Sequence, residues 1–508
     1  MSQVTGADAT RADRAGSVPE AAHEIVERAL ALSRADGCVV IATESSSVNL
    51  RWATNTLTTN GASRDRSITV VSVVGRSFGV RTASTIDTPA GGRGARPGDV
   101  AHPTDADGLA ELVRAAEDAA REAEDAEDYA DLLGPTTAGL STGGPGTGGG
   151  PVTAGGTFTD PATRTGTAVF ATFARDLAEA FGSARAQGRR LFGFAQHDVT
   201  TTWLGTSTGL RLRHSQPTGS VEWNAKSGVP DGSVWHGQST RDFTDVDVAA
   251  TDAALRSRLA WCERSVELPA GRYETLLPPS AVADLMIDLY WSAAGRDAAE
   301  GRTVFSRPGG ATRIGEAIGP AGLRLFSDPA DPELATTPFV TAASSSSMSS
   351  VFDNGLALGA TDWIRDGALA ALVQTRASAR ATQSPVTPII DNLILDAGGS
   401  ASLEEMIAST RRGLLLTSLW YIRTVDPEVL LLTGLTRDGV YLVENGEVTG
   451  AVNNFRFNES PVDLLGRTAE LGATTRTMAR EWADWFTFTR MPPMRVPDFN
   501  MSSVSPAS

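Results

Sequence analysis

The chain has 508 residues, 41% of them hydrophobic and 20% charged, with a formal net charge of −16. A domain takes about 100–200 residues, so two or three domains with buried cores are expected. The acidic balance repels phosphate backbones and anionic lipid, which excludes nucleic acid and membrane surfaces as main partners.

Residues 1–18 are polar and read as a disordered terminus. A helix is predicted over 19–35, with Ser17 as its cap and Ile25, Ala29, Leu30 and Leu32 on one face. Strands are predicted over 38–45, 48–53 and 67–74, then a turn at 75–79 and a returning strand, giving an N-terminal α+β domain over 19–92. A Gly/Pro/Asp-rich linker spans 93–106. The middle α+β domain, 107–270, begins with an acidic helix over 107–133 and carries a flexible Gly-rich insertion at 136–156. Helices are predicted over 165–187 and 245–261, with antiparallel strands over 197–204, 210–215 and 219–225 between them.

The C-terminal domain, 271–508, opens with a helix over 279–302. Strands are predicted over 323–327, 337–342, 356–364, 368–374 and 392–396. A helix over 403–412 starts with Ser402 and Glu405 at capping-box spacing and is followed by Gly413. Strands over 414–423, 429–438 and 439–445 come next, and Glu444-Asn445-Gly446-Glu447 reads as a hairpin turn. The fold class is therefore α+β: α/β N-terminal and middle regions with antiparallel strands, then a β-rich C-terminal domain, barrel- or sandwich-like.

Several chemistries lack their residues. Lys226 is the one lysine, and no glycine-rich turn precedes it, so a phosphate-binding P-loop is excluded. Gly75-Arg76-Ser77-Phe78-Gly79 and Gly205-Thr206-Ser207-Thr208-Gly209 match G-x-S-x-G, but strand-like residues come after both. A nucleophile elbow needs a helix there, so both are predicted to be hairpin turns. The G-x-G-x-x-G at 144–149 lies in the Gly-rich tract rather than between a strand and a helix, and reads as linker.

Metal chemistry is limited by ligand supply. The histidines are His23, His102, His197, His214 and His236, and no two lie within five residues. A helical i, i+4 pair is therefore impossible. His197 and His214 on neighbouring strands, joined by a carboxylate, would make a distributed site; separate strand or surface positions are the simpler expectation. Cys38 and Cys262 read as small buried residues. The carboxylates from Glu117 to Asp128 read as a solvated helix face, and Asp328 to Glu333 as a proline-rich turn. Two cysteines give no disulfide framework, the first twenty residues hold no apolar signal core, and no apolar run reaches the ~18–20 residues of a membrane span. A cytoplasmic location is expected.

Four segments carry a resemblance. They are Asn49-Leu50-Arg51-Trp52-Ala53-Thr54-Asn55, Val351-Phe352-Asp353-Asn354-Gly355, the stretch from Ser409 to Thr417, and Asn453 to Pro461. In order and spacing the chain resembles the TldD/PmbA (TldE) metallopeptidase-related family, from about Pro19 onward and most densely after Gly271. The resemblance implies a heterodimer of two subunit types. The TldD type holds a metal through H-E-x-x-x-H on a helix and a late cysteine. Aligned on Gly295, this chain places Trp291 and Arg296 at the histidine positions and Ser292 at the glutamate. Tryptophan and arginine do not ligate zinc. No cysteine follows Cys262, and residues 237–508 contain no histidine. The resemblance thus implies a TldE-like subunit with a degenerate metal site, without metal or other cofactor, and with no catalytic residues of its own.

The role expected of such a subunit is to be inactive alone, to pair with a TldD-like metal-bearing subunit (or with itself as a homodimer), and to act on unstructured peptides. Arg296, Arg302 and Arg307 are candidates for contacts with acidic groups or the partner, solvent exposure being the simpler fate. Two alternatives stand beside it. One is an independent hydrolase using His197, His214 and His236 of the middle domain; the other is a homodimeric peptide-binding scaffold.

Overall fold

The computed structural model describes residues 20–87, 106–136, 157–228 and 232–505. The predicted disordered terminus with Ser17, nearly all of the 93–106 linker and of the Gly-rich tract, and the G-x-G-x-x-G run lie outside them.

The first half runs α1 (Ala22–Leu32), β1 (Gly37–Ala53), β2 (Thr56–Val74), β3 (Ser77–Asp87), α2 (Ala106–Glu122), α3 (Ala171–Ala186), β4 (Arg190–Thr206), β5 (Arg211–Lys226), β6 (Ser233–Thr240) and α4 (Val248–Trp261). The six strands form one antiparallel sheet in the order β3-β2-β1-β4-β5-β6. Strands from both sides of residues 93–106 thus share a sheet: β1 pairs with β4 from Val39↔Thr206 to Trp52↔Gly193. Long strands account for the merging of the short predicted segments. Both G-x-S-x-G runs begin at tight turns between paired strands, with Val74↔Ser77 and Gly205↔Arg211 in register around them. Gly79 lies inside β3, where a Cβ would stand 2.3 Å from the Ala116 carbonyl and 2.4 Å from the Ala120 nitrogen of α2. Its glycine is a packing requirement.

The acidic helix is shorter than predicted, ending at Glu122, and its carboxylates are not one solvated face. Glu117 is buried and accepts from the Arg34 amide at 2.5 Å and from Arg121 at 3.1 Å, tying α2 to the end of α1.

The second half runs β7 (Ser265–Val266), β8 (Gly271–Leu277), α5 (Pro279–Trp291), α6 (Gly295–Ala299), β9 (Arg324–Ser327), β10 (Thr361–Arg365), β11 (Ala368–Leu369), α7 (Arg376–Thr382), β12 (Asn392–Asp396), α8 (Leu403–Ser409), β13 (Arg412–Leu416), β14 (Leu419–Asp426), β15 (Leu431–Thr436), β16 (Val440–Glu444), β17 (Glu447–Val452), β18 (Phe455–Glu459), α9 (Pro461–Arg467), β19 (Glu470–Leu471), β20 (Thr475–Thr477), β21 (Phe488–Met491) and β22 (Met494–Val504). The overall class is α+β. The barrel expectation fails: these strands make a six-stranded sheet, β11-β10-β9-β12-β21-β20, and a ten-stranded mixed sheet running from β14 to β7, and neither closes on itself.

Helix α5 is apolar on nearly every side, and nine of its residues, including Leu285, Ile287 and Tyr290, are buried. A helix apolar all round belongs in a core. It lies in the largest cluster, to which the six-stranded sheet contributes Leu325, Trp363 and Leu393 and the ten-stranded sheet Leu414, Phe457 and Phe499. A second cluster joins Leu191 and Trp223 of the first sheet to Leu415 and Tyr441, so the two halves share a core.

Local signals hold in several places. Ser402 and Glu405 exchange both capping-box bonds, at 3.2 and 2.8 Å. Asn445 and Gly446 have φ of 53° and 83°, as a two-residue hairpin turn requires. Gly413, expected as a helix cap, lies instead in β13, where a Cβ would meet the Glu274 carbonyl at 2.8 Å. Residues 337–342 form no strand. Their pairing is a local clasp, with the Val340 amide donating to Leu356 and the Gly355 amide to Val340.

Candidate functional site

The predicted helix over 279–302 is interrupted at the place that matters. Helix α5 ends at Trp291, Ser292 caps it, and α6 begins at Gly295. The Ser292 hydroxyl donates back to the Asp288 carbonyl at 2.9 Å. The Val373 amide donates to the Ala293 carbonyl at 2.7 Å, and the Gly295 amide to the Val373 carbonyl at 2.8 Å. Pairing with a distant segment replaces helical bonds that periodicity alone leads one to expect.

Trp291 and Arg296 therefore sit on different helices. The Trp291 ring packs edge-on against Trp482 at 5.1 Å and against Phe486 at 6.3 Å. Arg296 bridges Glu300 at 2.9 Å and Glu127 at 2.5 Å. Glu300 first and Glu127 second hold its guanidinium in the charged form. Arg302 pairs with Asp297 and Glu300, and Arg307 pairs with Glu316 through both forks. All three arginines find their carboxylates within the chain.

The residues at this junction do not fit a divalent metal. An indole and a hydroxyl already donating to a carbonyl bring no anionic donor, and a guanidinium repels a cation. Among the described residues no three His, Cys, Asp or Glu side chains converge as a ligand set. Beside the junction lies a cleft of about 340 Å³, lined by Glu127, Asp128, Arg296, Glu300, Ser346 and Ser347 among others. It lies where the first half of the chain meets the second.

A knob holds that meeting in place. The Arg376 guanidinium donates to Asp353 at 2.7 Å and to the Asp131 carbonyl at 3.0 Å. The Asn354 side chain accepts from the Ala342 amide and donates to the Ala342 and Val351 carbonyls. Phe352 meets the rings of Phe78 and Tyr129. Gly355, at φ 85°, brings its backbone so close to Leu210 that a Cβ would stand 2.2 Å from it.

One feature of α5 escaped sequence reasoning. Asp284 and Asp288, four residues apart in an otherwise apolar helix, face the segment that carries Glu481 and Trp482. Asp284 accepts from the Glu481 amide at 2.9 Å, and its other oxygen is buried without a partner. Asp288 accepts from the Trp482 indole at 3.2 Å. Burial raises both carboxyls, Asp288 to about 7, and the Glu481 carboxylate adds to the shift. The signal was legible: two acids at helical spacing in a core helix.

The histidines do not converge. His197 lies opposite Gly219 and His214 opposite Thr202, an odd offset in an unbroken register, so they point to opposite faces of the sheet. Both ring nitrogens of His197 are engaged, with Thr165 at 2.7 Å and the Arg241 carbonyl at 2.8 Å. His214 bonds Gln216 at 3.0 Å. His236 is on β6, opposite Trp223, with β5 separating it from β4. Cys38 is buried, and burial pushes its thiol up to about 11; Cys262 is half-buried. Asp331 of the proline-rich turn accepts from the Glu333 and Leu334 amides and pairs with Arg490, a structural role. Among the described residues no helix is long and apolar enough to cross a membrane.

Comparison with known proteins agrees with this architecture. Three solved structures superpose over nearly their whole length. TldE from Thermococcus kodakarensis gives a TM-score of 0.72 at 14% identity, covering 94% of this chain and 98% of that one. A Thermotoga maritima protein described as a candidate modulator of a DNA gyrase gives 0.70 at 16%, covering 94% and 99%. A Bacteroides thetaiotaomicron protein so described gives 0.69 at 14%, covering 95% and 98%. At these identities the likeness establishes the fold. No curated protein matches by sequence. Residues 270–503 match the sequence profile described as the PmbA/TldA metallopeptidase C-terminal domain. Residues 270–503 thus carry the C-terminal domain of the TldD/PmbA family, and the chain as a whole has the TldE-like fold.

Proposed function

We propose that the chain is the non-catalytic, TldE-like subunit of a heterodimeric metallopeptidase that acts on unstructured peptides in the cytoplasm. One observation carries the reading: Arg296, aligned with a metal-binding histidine of the TldD type, is an ion-paired guanidinium fixed between Glu127 and Glu300. Trp291 and Ser292, aligned with the other histidine and the glutamate, serve packing and helix capping. They are degenerate metal-site positions. The subunit shapes the cavity and supports its metal-bearing partner, and the cleft beside Arg296 accepts an extended segment of substrate.

The reading of an independent hydrolase finds no support in the placement of His197, His214 and His236. Association is tested by size-exclusion chromatography with light scattering on the chain alone and mixed with a TldD-type subunit. A one-to-one complex that forms at the expense of any homodimer supports the proposal. A homodimer that ignores the partner favours the scaffold alternative and contradicts it.

A further inference from the structure

A separate cavity of about 260 Å³ lies where β6, α4, the start of α5 and β20 come together. The charged side chains on its wall are two guanidiniums, Arg258 and Arg476. Arg476 is not fully satisfied by the chain. Arg258 donates to the Trp235 carbonyl at 2.9 Å and makes no ion pair among the described residues. Arg476 donates to Asp245 at 3.1 Å and to Ser239 at 3.3 Å, but its second terminal nitrogen is buried with no partner. A buried charged donor left without an acceptor is costly, and native structures seldom tolerate it.

The rest of the wall points the same way. Helix α5 begins at Pro279, and its partly positive N-terminus reaches the cavity at Ser280. Burial and the nearby Arg258 hold His236 neutral, near a pKa of about 4, so at neutral pH its ring has one N–H to donate. Gln238 and Thr477 add further polar groups. The carboxylates that act on these arginines, Asp245 and Glu404, are not part of the wall.

We propose that this cavity binds an oxyanion, held by Arg258 and Arg476 at the N-terminus of α5 and supplied either by a small free anion or by the carboxy end of a peptide. Two guanidiniums set around one concave space, with a helix N-terminus beside them, form a donor set suited to such a group. The site is complete in this chain and does not depend on the subunit reading.

The test uses the full-length chain. Inorganic phosphate, acetate, and a short peptide in free-acid and amidated forms are titrated by calorimetry at fixed ionic strength. Binding of phosphate or acetate is expected, weakened about tenfold or more in both Arg476→Gln and Arg258→Gln. Free-acid peptide binding at least tenfold better than its amide identifies a carboxy end as the source; equal peptide behaviour identifies a free anion. Arg258 also supports Trp235, so its variant is at risk of misfolding. A crystal of the unaltered protein soaked in selenate needs no variant, and an anomalous peak is expected between the two guanidiniums. No peak there, together with no binding of any probe, overturns the proposal, as does binding unchanged in well-folded variants.

Discussion

Arg296 of α6 reaches back 169 residues to Glu127, at 2.5 Å, and closes one wall of the cleft between the two halves of the chain. A residue aligned with a metal ligand is thereby committed to an ion pair. The pair is partly exposed and contributes little to stability on its own. Its consequence, on the proposed subunit reading, is chemical: a fixed positive charge stands at the position aligned with a metal ligand.

Restoring the missing motif should therefore not restore a metal site. In a Trp291→His, Ser292→Glu, Arg296→His variant, the two imidazoles lie on separate helices, with residues 292–294 between them. No late cysteine completes the set. Sub-stoichiometric zinc after dialysis, measured by mass spectrometry, is the expected result. One tightly held zinc per chain would show that the α5–α6 break yields to the metal.

The pair of Arg376 with Asp353 anchors the knob that joins the halves. Asp353 is almost fully buried, and burial works to raise its carboxyl against the guanidinium beside it. Arg376→Ala should cost about 2–3 kcal/mol, since it leaves a buried carboxylate short of its donor. Urea unfolding reads the loss, and Arg376→Lys should recover only part of it, because a single ammonium cannot reproduce the fork.

Much of the first sheet was legible because β4 and β5 alternate buried and half-buried residues over much of their length. The hairpin at Asn445-Gly446 and the cap at Ser402 were legible because a few adjacent residues determine each. The break after Trp291 was not, because its cause is Val373, some eighty residues away. The spacing of His197 and His214 allowed a shared site, and only the register Thr202↔His214 places them on opposite faces. Residues 337–342 carry strand-like composition but lack a long partner, and composition does not reveal partners.

The acids of α5 give the protein a pH dependence. Asp288 faces Asp284 on its own helix and Glu481, Trp482 and Arg423 on the elements packed against it. Its folded pKa, about 7, exceeds the unfolded value of about 3.9. Between these values the unfolded chain releases a proton that the folded chain keeps. The contribution to stability is therefore full below about pH 4, falls as pH rises towards 7, and changes little above it. Asp288→Asn should raise stability at pH 8 by about 1–2 kcal/mol and leave it nearly unchanged at pH 4. Denaturant midpoints at the two pH values measure this, and equal shifts at both would refute the assignment.

The two G-x-S-x-G runs separate catalysis from packing. Ser77→Ala should leave folding and any peptidase activity of the assembled protein intact. Ser207→Ala should cost about 1 kcal/mol, because its hydroxyl accepts from the Cys38 amide at 3.0 Å. Gly79→Ala should cost more, about 2–3 kcal/mol, because its Cβ drives α2 off β3. Thermal unfolding ranks the three variants, and loss of activity in a well-folded Ser77→Ala protein would contradict the hairpin reading.

The subunit reading is tested most directly by hydrolysis of an unstructured peptide, monitored by mass spectrometry. The purified chain is assayed alone, the metal-bearing TldD-type subunit alone, and the two together. Cleavage that requires the metal-bearing subunit and is enhanced by adding this chain is the predicted result. Reproducible cleavage by this chain alone, surviving removal of trace metal and lost on substitution of His197 or His214, would contradict it.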